Sequence, residues 1–179
     1  MAKNSKKNLQ KSKEKILSLM KNDGTMSDFS ISQKLECSRQ KIWRIRRELE
    51  QDGIIWGYSI IINQKKRNRK DFIILLKRSE KIMNEKCANS LIFDEFHDLI
   101  ENGDIEIETI MCLYGVFDLM LIVNAPNVFS VKSFISDIKG SWSDYFEKIV
   151  MLESLEILKK NYIKNPNLSE EKDVLLKLL

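Results

Sequence analysis

Residues 38–52 read SRQKIWRIRRELEQD. At about 100° per residue along an α-helix, Ile42, Ile45 and Leu49 fall on one narrow stripe. This stretch therefore predicts a helix whose apolar stripe packs on neighbouring helices. Gly53 follows directly, and glycine is the residue type that most often ends a helix because it accepts a left-handed backbone.

The side of this helix opposite the apolar stripe is cationic. An Arg side chain can make paired hydrogen bonds to guanine, a Gln side chain can make them to adenine, and the major groove of DNA admits one helix. Residues near the start of such a helix reach base edges, while flanking residues meet phosphates. We predict base contacts from Gln40, Trp43, Arg44 and Arg47, and phosphate contacts from Ser38, Arg39, Lys41 and Arg46.

A solvated helix face is the alternative interpretation of these cations. Glu48 and Glu50 stand four residues after Arg44 and Arg46, a spacing at which opposite charges pair on one helix. If both pairs form, the helix needs no nucleic acid to compensate its positive charge.

Charge is divided unevenly along the chain. Residues 1–70 hold 18 Lys/Arg and 7 Asp/Glu, whereas residues 71–179 hold 12 and 19, although the net charge is only +4. This division predicts two modules, of which the basic one faces a polyanion. Residues 1–11 are interpreted as a flexible basic arm and residues 63–70 as a basic linker, both able to add phosphate contacts.

The basic module contains two further helix patterns before residue 38. Apolar residues recur at helical spacing in 12–21, and Ser27 is placed to cap a second short helix. Residues 54–62 are β-branched and aromatic, which indicates a strand, such as a wing. Together these elements predict a winged helix-turn-helix domain over residues 12–62.

The acidic module changes to a pattern of strands and helices. Its predicted order is β-α-β-β-α-β, the ferredoxin-like plan, over residues 71–160. The predicted strands are 72–77, 105–114, 116–124 and 148–158, and the predicted helices are 84–101 and 128–139. In the second strand, Ile105, Ile107, Met111 and Leu113 are expected on one side, and Glu106 and Glu108 on the other. The fold class is α+β, and residues 161–179 form a C-terminal extension that is either a short helix or a frayed end.

Several classes of function are disfavoured by residue content. The only histidine is His97, the three cysteines have no metal-ligand spacing, and the six glycines form no phosphate-binding loop. No run of 18 apolar residues occurs, so we expect no membrane span. These observations predict a cytoplasmic protein without catalytic residues, bound metal or cofactor.

Two stretches carry a resemblance to a known family. ILSLMKNDGTMSDFSISQKLECS (16–38) and RRELEQDGIIWGYSIIIN (46–63) resemble the DNA-binding half of Lrp/AsnC (feast/famine) transcription regulators. Residues 71–160 resemble the second half of these regulators, with YGVFD (114–118) at the tip of the central hairpin. The resemblance implies a homodimer or higher homo-oligomer that binds pseudo-palindromic double-stranded DNA, with a small amino-acid-like molecule as an expected effector.

The same resemblance places an effector pocket between subunits near Gly115 and Asp118. Asp118 is either a ligand or interface contact or a hydrogen-bonded structural acid. Val116 stands where several amino-acid-responsive members carry an acidic residue, and a valine cannot bind a ligand amine. Glu36 occupies a turn position where glycine is common, so that turn must adopt a less relaxed backbone.

An enzyme is the second hypothesis for function. Siroheme decarboxylases resemble the same two-domain family and carry active-site histidines in their second domain. This chain offers only His97 there, beside Glu101 at the i+4 position. We interpret His97 as a partly exposed position in a charged helix.

Overall fold

The computed structural model describes residues 2–82, 85, 89, 104–142, 144–168 and 176. The helices are α1 (Ala2–Asn22), α2 (Asp28–Lys34), α3 (Arg39–Gln51) and α4 (Val128–Trp142), with a 3-10 turn at Lys65–Arg67. The strands are β1 (Lys70–Arg78), β2 (Glu106–Cys112), β3 (Leu119–Ala125), β4 (Phe146–Glu153), β5 (Lys159–Lys160) and β6 (Ile163–Lys164). Within the predicted helix 84–101, residues 85 and 89 are described and both are helical. His97 lies outside the described residues.

The chain divides into two compact units. The first comprises Met1–Ile61 together with Ile157–Leu179, and the second comprises Ile62–Glu156. The C-terminal segment therefore belongs with the helical unit, whereas the sequence assigned residues 157–160 to the ferredoxin-like domain. The segment that was interpreted as a linker, 63–70, belongs to the second unit.

The first unit is held together by the apolar stripe of α3. Ile42, Ile45 and Leu49 are fully buried, and they join Ile16 and Ile31 from α1 and α2 in one core. The predicted stripe is confirmed. Burying side chains of this size contributes about 1.5–3 kcal/mol each, so this contact fixes the orientation of α3.

The first helix is longer than predicted. α1 begins at Ala2, so the structure assigns residues 2–11, which we predicted to be a flexible arm, to a helix. Residues 2–11 contain neither glycine nor proline, and Lys, Gln and Ala are good helix formers. Leu9 also packs against the core, which ties this part of the helix to the unit.

Both ends of α3 carry specific caps. The Ser38 hydroxyl accepts a hydrogen bond from the Lys41 backbone N–H at 3.3 Å. At the other end, the N–H of Gly53 donates to Glu50 at 3.1 Å and the N–H of Ile54 donates to the Leu49 carbonyl at 2.9 Å. Gly53 has a φ of +67°, so this end is a Schellman motif, whose left-handed residue is most often glycine.

Residues 54–62 do not form the predicted strand. Their backbone has no regular hydrogen-bonded partner among the described residues, and Trp56 is 97% exposed. A strand needs a neighbouring strand, and in the described part of the first unit the strands β5 and β6 pair only with each other. The β-branched pattern is present, but no strand in the described part of the chain pairs with it.

The second unit is a four-stranded antiparallel sheet in the order β2-β3-β1-β4. α4 packs on one face through Val131, Phe134 and Ile138, against Ile74 and Leu121 of the central strands. This is the strand order of a ferredoxin-like fold, and the predicted fold class, α+β with a helical N-terminal unit, is confirmed.

The other face of this sheet is apolar, and we call it the open face. The strand register brings its side chains together across all four strands, and no described helix covers them. The open face comprises Ile73, Leu75, Thr109, Met111, Met120, Ile122, Val150 and Leu152. Leu152 is 48% exposed and Met111 is 38% exposed.

The predicted alternation in the second strand is wrong beyond Ile107. The pairing of β2 with β3 shifts register between Ile107 and Thr109, which indicates a β-bulge at Glu108. Ile107 and Ile110 therefore both pack on the core, while Met111 turns to the open face. The strands predicted at 116–124 and 148–158 are also shorter, beginning at Leu119 and ending at Glu153.

Candidate nucleic-acid interface

The exposed side of α3 carries the residues predicted to contact bases. Gln40, Trp43, Arg44 and Arg47 are all exposed, and they lie on the side of the helix turned away from its buried stripe. Ser38, Arg39 and Lys41 are exposed at the start of the same helix. Seven of the eight predicted contact residues are thus exposed on or at the start of α3, and we call this set of residues the α3 face.

Two members of the α3 face interact with each other. The Arg47 guanidinium lies 5.2 Å from the centroid of the Trp43 ring. A cation–π contact of this kind stabilises an exposed pair by about 0.5–1 kcal/mol. The contact restrains the Arg47 side chain, which lowers the conformational entropy that is lost when the guanidinium binds a base edge.

The acidic residues of α3 pair away from the α3 face. Glu48 forms an ion pair with Lys13 of α1 at 3.0 Å, and Glu50 accepts a hydrogen bond from the Tyr58 hydroxyl at 2.7 Å. The proposed pairs of these glutamates with Arg44 and Arg46 are therefore replaced by contacts to other segments. This arrangement leaves the positive charge of the α3 face uncompensated by its own helix.

Arg46 has a different environment from the other predicted contacts. Its Nε lies 2.8 Å from the Asp28 carboxylate, and its guanidinium donates a hydrogen bond to the Met26 carbonyl at 2.8 Å. The centre of the guanidinium lies 6.0 Å from the centroid of the Tyr58 ring. The side chain is only 18% exposed. Arg46 therefore joins α2 to α3, and its predicted phosphate contact stays a prediction. The position of Arg46 beside the apolar stripe indicates a contact with the neighbouring helices, but Asp28 and Met26 are too far away in the sequence to be predicted as its partners.

We expect Arg46→Ala to destabilise the first unit by about 2 kcal/mol, because it leaves a largely buried carboxylate and a carbonyl without their donor. Thermal unfolding measured by circular dichroism would show the loss as a lower Tm. Arg44→Ala is the matched control on the exposed side and should leave the Tm nearly unchanged. Equal Tm values for the two variants would contradict the assignment.

The turn between α2 and α3 is strained at Glu36. Its φ is +50°, in the left-handed region that favours glycine. The turn is held by the Cys37 N–H, which donates to the Ser32 carbonyl at 3.1 Å. The expectation of a less relaxed backbone at this position is confirmed.

Glu36→Gly should stabilise the chain by about 1 kcal/mol, since glycine removes the steric cost of a left-handed residue. Chemical denaturation with urea would report the change as a higher midpoint. Glu36→Ala removes the same carboxylate but keeps the Cβ atom, so its midpoint should not rise. A rise of the same size in both variants would indicate that charge, not backbone strain, is responsible.

Four of the five cations of residues 63–70 are engaged within the second unit. Arg67 makes two hydrogen bonds to the Glu106 carboxylate, at 3.0 and 3.1 Å, and Arg69 donates to the Asp104 carbonyl at 2.7 Å. Lys65 pairs with Glu156. The prediction of a basic linker that supplies phosphate contacts is not supported for these side chains.

The Arg67 hydrogen bonds lower the pKa of the Glu106 carboxyl below its ordinary value of 4.5. A carboxyl whose pKa is lower in the folded chain stabilises that chain above the ordinary value. This contribution is lost as the pH falls through the folded pKa. The ion pair therefore anchors the segment at neutral pH.

The hairpin tip between β2 and β3 holds the residues assigned to an effector site. Asp118 accepts a hydrogen bond from the Arg78 backbone N–H at 2.8 Å, and its own N–H donates to the Leu76 carbonyl at 3.0 Å. Asp118 therefore has the structural role that was one of its two interpretations. Gly115 has a φ of +157°, and Val116 is 75% exposed beside it.

The described residues contain no group of three or more His, Cys, Asp or Glu side chains arranged to hold a metal ion. Among the same residues, no helix combines the length and hydrophobicity needed to cross a membrane.

Comparison with known proteins identifies the first unit. Residues 9–55 match the model of a winged helix-turn-helix DNA-binding domain. No curated protein matches the chain significantly. The matched range contains α2, α3 and the turn between them, so the class of this unit is a winged helix-turn-helix domain.

Solved structures extend the comparison to both units. The chain is similar to an AsnC family transcriptional regulator from Agrobacterium tumefaciens (19% identity, TM-score 0.62, 83% of this chain and 91% of that chain). It is also similar to LrpC from Bacillus subtilis (21% identity, TM-score 0.61, 83% and 95%). A third is a transcriptional regulator from Neisseria meningitidis in complex with L-Met (16% identity, TM-score 0.63, 84% and 92%). The chain thus has the two-domain fold of Lrp/AsnC regulators.

Proposed function

We propose that this chain is a sequence-specific transcription regulator of the Lrp/AsnC type that reads double-stranded DNA with α3. The observation that carries the proposal is the α3 face, on which Arg44, Arg47 and Gln40 are exposed on a helix fixed by its buried stripe. A rigid helix with such side chains fits the width of the major groove. A regulator of this kind acts on chromosomal DNA, so the proposal places the chain in a prokaryotic cytoplasm.

The proposal includes self-association through the open face. Apolar side chains from all four strands meet there, among them Leu75, Ile122 and Leu152. Two sheets can bury such faces against each other in a layer about 10 Å thick. A second copy is the partner that always matches this surface, since a two-fold interface uses the same patch on both subunits.

Two-fold symmetry has a direct consequence for the DNA site. A dimer presents two copies of α3, so the site should be a pseudo-palindrome with half-sites about 10 base pairs, or a multiple, apart. The open face therefore determines the half-site spacing, whereas the α3 face determines the sequence that each half-site contains.

An effector site at the β2–β3 hairpin tip, near Gly115 and Asp118, is the third part of the proposal. The similar protein from Neisseria meningitidis was solved with L-Met. In this chain Val116 presents a methyl surface instead of a carboxylate, and the Asp118 carboxylate is bonded to backbone. An effector here would be recognised through apolar and backbone contacts, and any coupling to DNA would be about 1–3 kcal/mol.

Direct titration of a labelled genomic duplex pool with purified protein tests the proposal. Fluorescence anisotropy should show saturable binding to duplex DNA that weakens steeply as salt rises, because each phosphate contact releases counterions. A subset of sequences should bind at least a thousandfold more tightly than random duplex, roughly as specific regulators do. Absence of duplex binding at low salt would contradict the proposed function.

A further inference from the structure

The C-terminal segment forms a short β-hairpin in the same unit as α3. β5 and β6 pair through Lys159 with Lys164 and through Lys160 with Ile163. The two turn residues, Asn161 and Tyr162, have φ values of +44° and +69°. Positive φ at both central residues defines a type I′ turn, whose twist matches that of the two strands.

The charge of this hairpin differs from that of the module that precedes it. Residues 157–168 contain three lysines and no acidic residue, whereas the second unit, 62–156, holds more acidic than basic side chains. Lys159 and Lys164 are exposed. The hairpin therefore shares the basic character of the unit with which it packs.

Contacts place the hairpin near the entry to the helix-turn-helix. The Tyr162 ring lies 5.4 Å from the Lys21 ammonium, in the last turn of α1. The turn after α1 contains Gly24 and leads into α2. A Cβ atom added to Gly24 would lie 3.7 Å from the Tyr58 ring, so this turn is close to the segment that follows α3. In helix-turn-helix complexes the helix before the recognition helix, here α2, crosses the DNA backbone. The turn that leads into α2 would therefore lie near phosphates when α3 binds DNA.

The conformation of Tyr162 supports a specific role for the hairpin. A bulky residue with φ above zero costs about 1–3 kcal/mol and persists where surrounding contacts stabilise it. Tyr162 is 58% exposed and its ring contacts Lys21, so the turn lies against α1 without being buried in the core. Residues 54–62, where a wing was predicted, form no hairpin of their own.

We propose that the β5–β6 hairpin is a second DNA-contacting element, in which Lys159 and Lys164 bind backbone phosphates next to α3 and so perform the task of a wing. This inference rests on the proposed DNA binding of α3 and adds a separate surface to it. Phosphate contacts carry no sequence information, so the hairpin contributes affinity and register, while α3 contributes base preference.

The test compares the full-length double variant Lys159→Gln/Lys164→Gln with wild type by anisotropy titration over a series of KCl concentrations. The double variant should bind the selected duplex and a scrambled duplex more weakly by the same factor. The slope of log affinity against log salt should decrease by about one for each lysine that contacts a phosphate. The matched control is Lys132→Gln/Lys139→Gln, which neutralises two exposed lysines of α4, on the other side of the sheet from the open face, and should leave the slope near the wild-type value.

The outcomes separate the hairpin from the proposed function. If wild type binds DNA and the hairpin variant keeps the slope of the control, the hairpin is a solvated surface only and this inference is wrong. A loss of selectivity instead of uniform weakening would also contradict it. If wild type binds no duplex, the proposed function fails and the inference fails with it.

Discussion

Arg47→Ala should weaken binding to the selected duplex by about 1–3 kcal/mol, which is roughly a fivefold to 150-fold increase in Kd. The expected cause is the loss of a two-pronged contact to one base pair, made by a guanidinium that Trp43 already orients from 5.2 Å away. Arg44→Ala should have an effect of similar size at a neighbouring base pair. Anisotropy titrations against duplexes that carry single base changes measure both the loss of affinity and the loss of preference.

Arg78→Ala is the matched control for the α3 variants. It removes the same charge from an exposed position of the second unit, so its effect on base preference should be negligible. The α3 assignment fails if Arg44→Ala and Arg47→Ala both retain wild-type preference at every position of the site. Circular dichroism should show unchanged helix content in all three variants, because none of these side chains contacts the core.

Leu152→Lys should convert the protein to a monomer and reduce affinity for the full site by at least a hundredfold. The substitution places an ammonium in the open face, where pairing of two sheets would bury it without a partner. Loss of the dimer separates the two copies of α3, and linked binding of two sites typically contributes about a hundredfold to ten-thousandfold in affinity. Size-exclusion chromatography with light scattering gives the mass, and titration gives the affinity.

Phe129→Lys is the control for the open-face variant. Phe129 is 75% exposed on α4, away from the open face, so the same substitution there should leave the assembly intact. A Leu152→Lys protein that keeps the wild-type mass would exclude the open face as the interface. If wild type and the Leu152→Lys variant are both dimers, the subunits must associate through another surface, such as the exposed apolar residues at 54–62.

Local periodicity was sufficient to predict the elements whose packing partners are close in sequence. The α3 stripe needs only its own 3.6-residue repeat and two preceding helices, and Ser38 and Gly53 cap it through local geometry. The ferredoxin-like order follows from the alternation of strand and helix patterns. The seven exposed residues of the α3 face follow from the position of the stripe, since they occupy the remaining surface.

Features that depend on distant partners were not predictable from local patterns. Arg46 looks like any other cation of α3 until Asp28 and Met26 are brought beside it. The β-bulge at Glu108 changes which side chains of β2 face the core, and no glycine or proline marks its position in the sequence.

The C-terminal hairpin illustrates the same difficulty. Its turn has Tyr162 at a position of positive φ where glycine would be expected. The hairpin belongs to the first unit because of tertiary packing, which local sequence patterns do not predict. The strand pattern at 54–62 failed for a related reason, because β-propensity describes a residue that fits a sheet and does not supply the neighbouring strand.

Selection of bound fragments from genomic DNA tests the central claim most directly, because it examines sequence preference and symmetry in one measurement. The account predicts an enriched inverted repeat whose half-site centres are about 10 base pairs, or a multiple, apart. Recovery of fragments with no shared motif, or of a single unrepeated motif, would contradict the claim that two fixed copies of α3 read the DNA together.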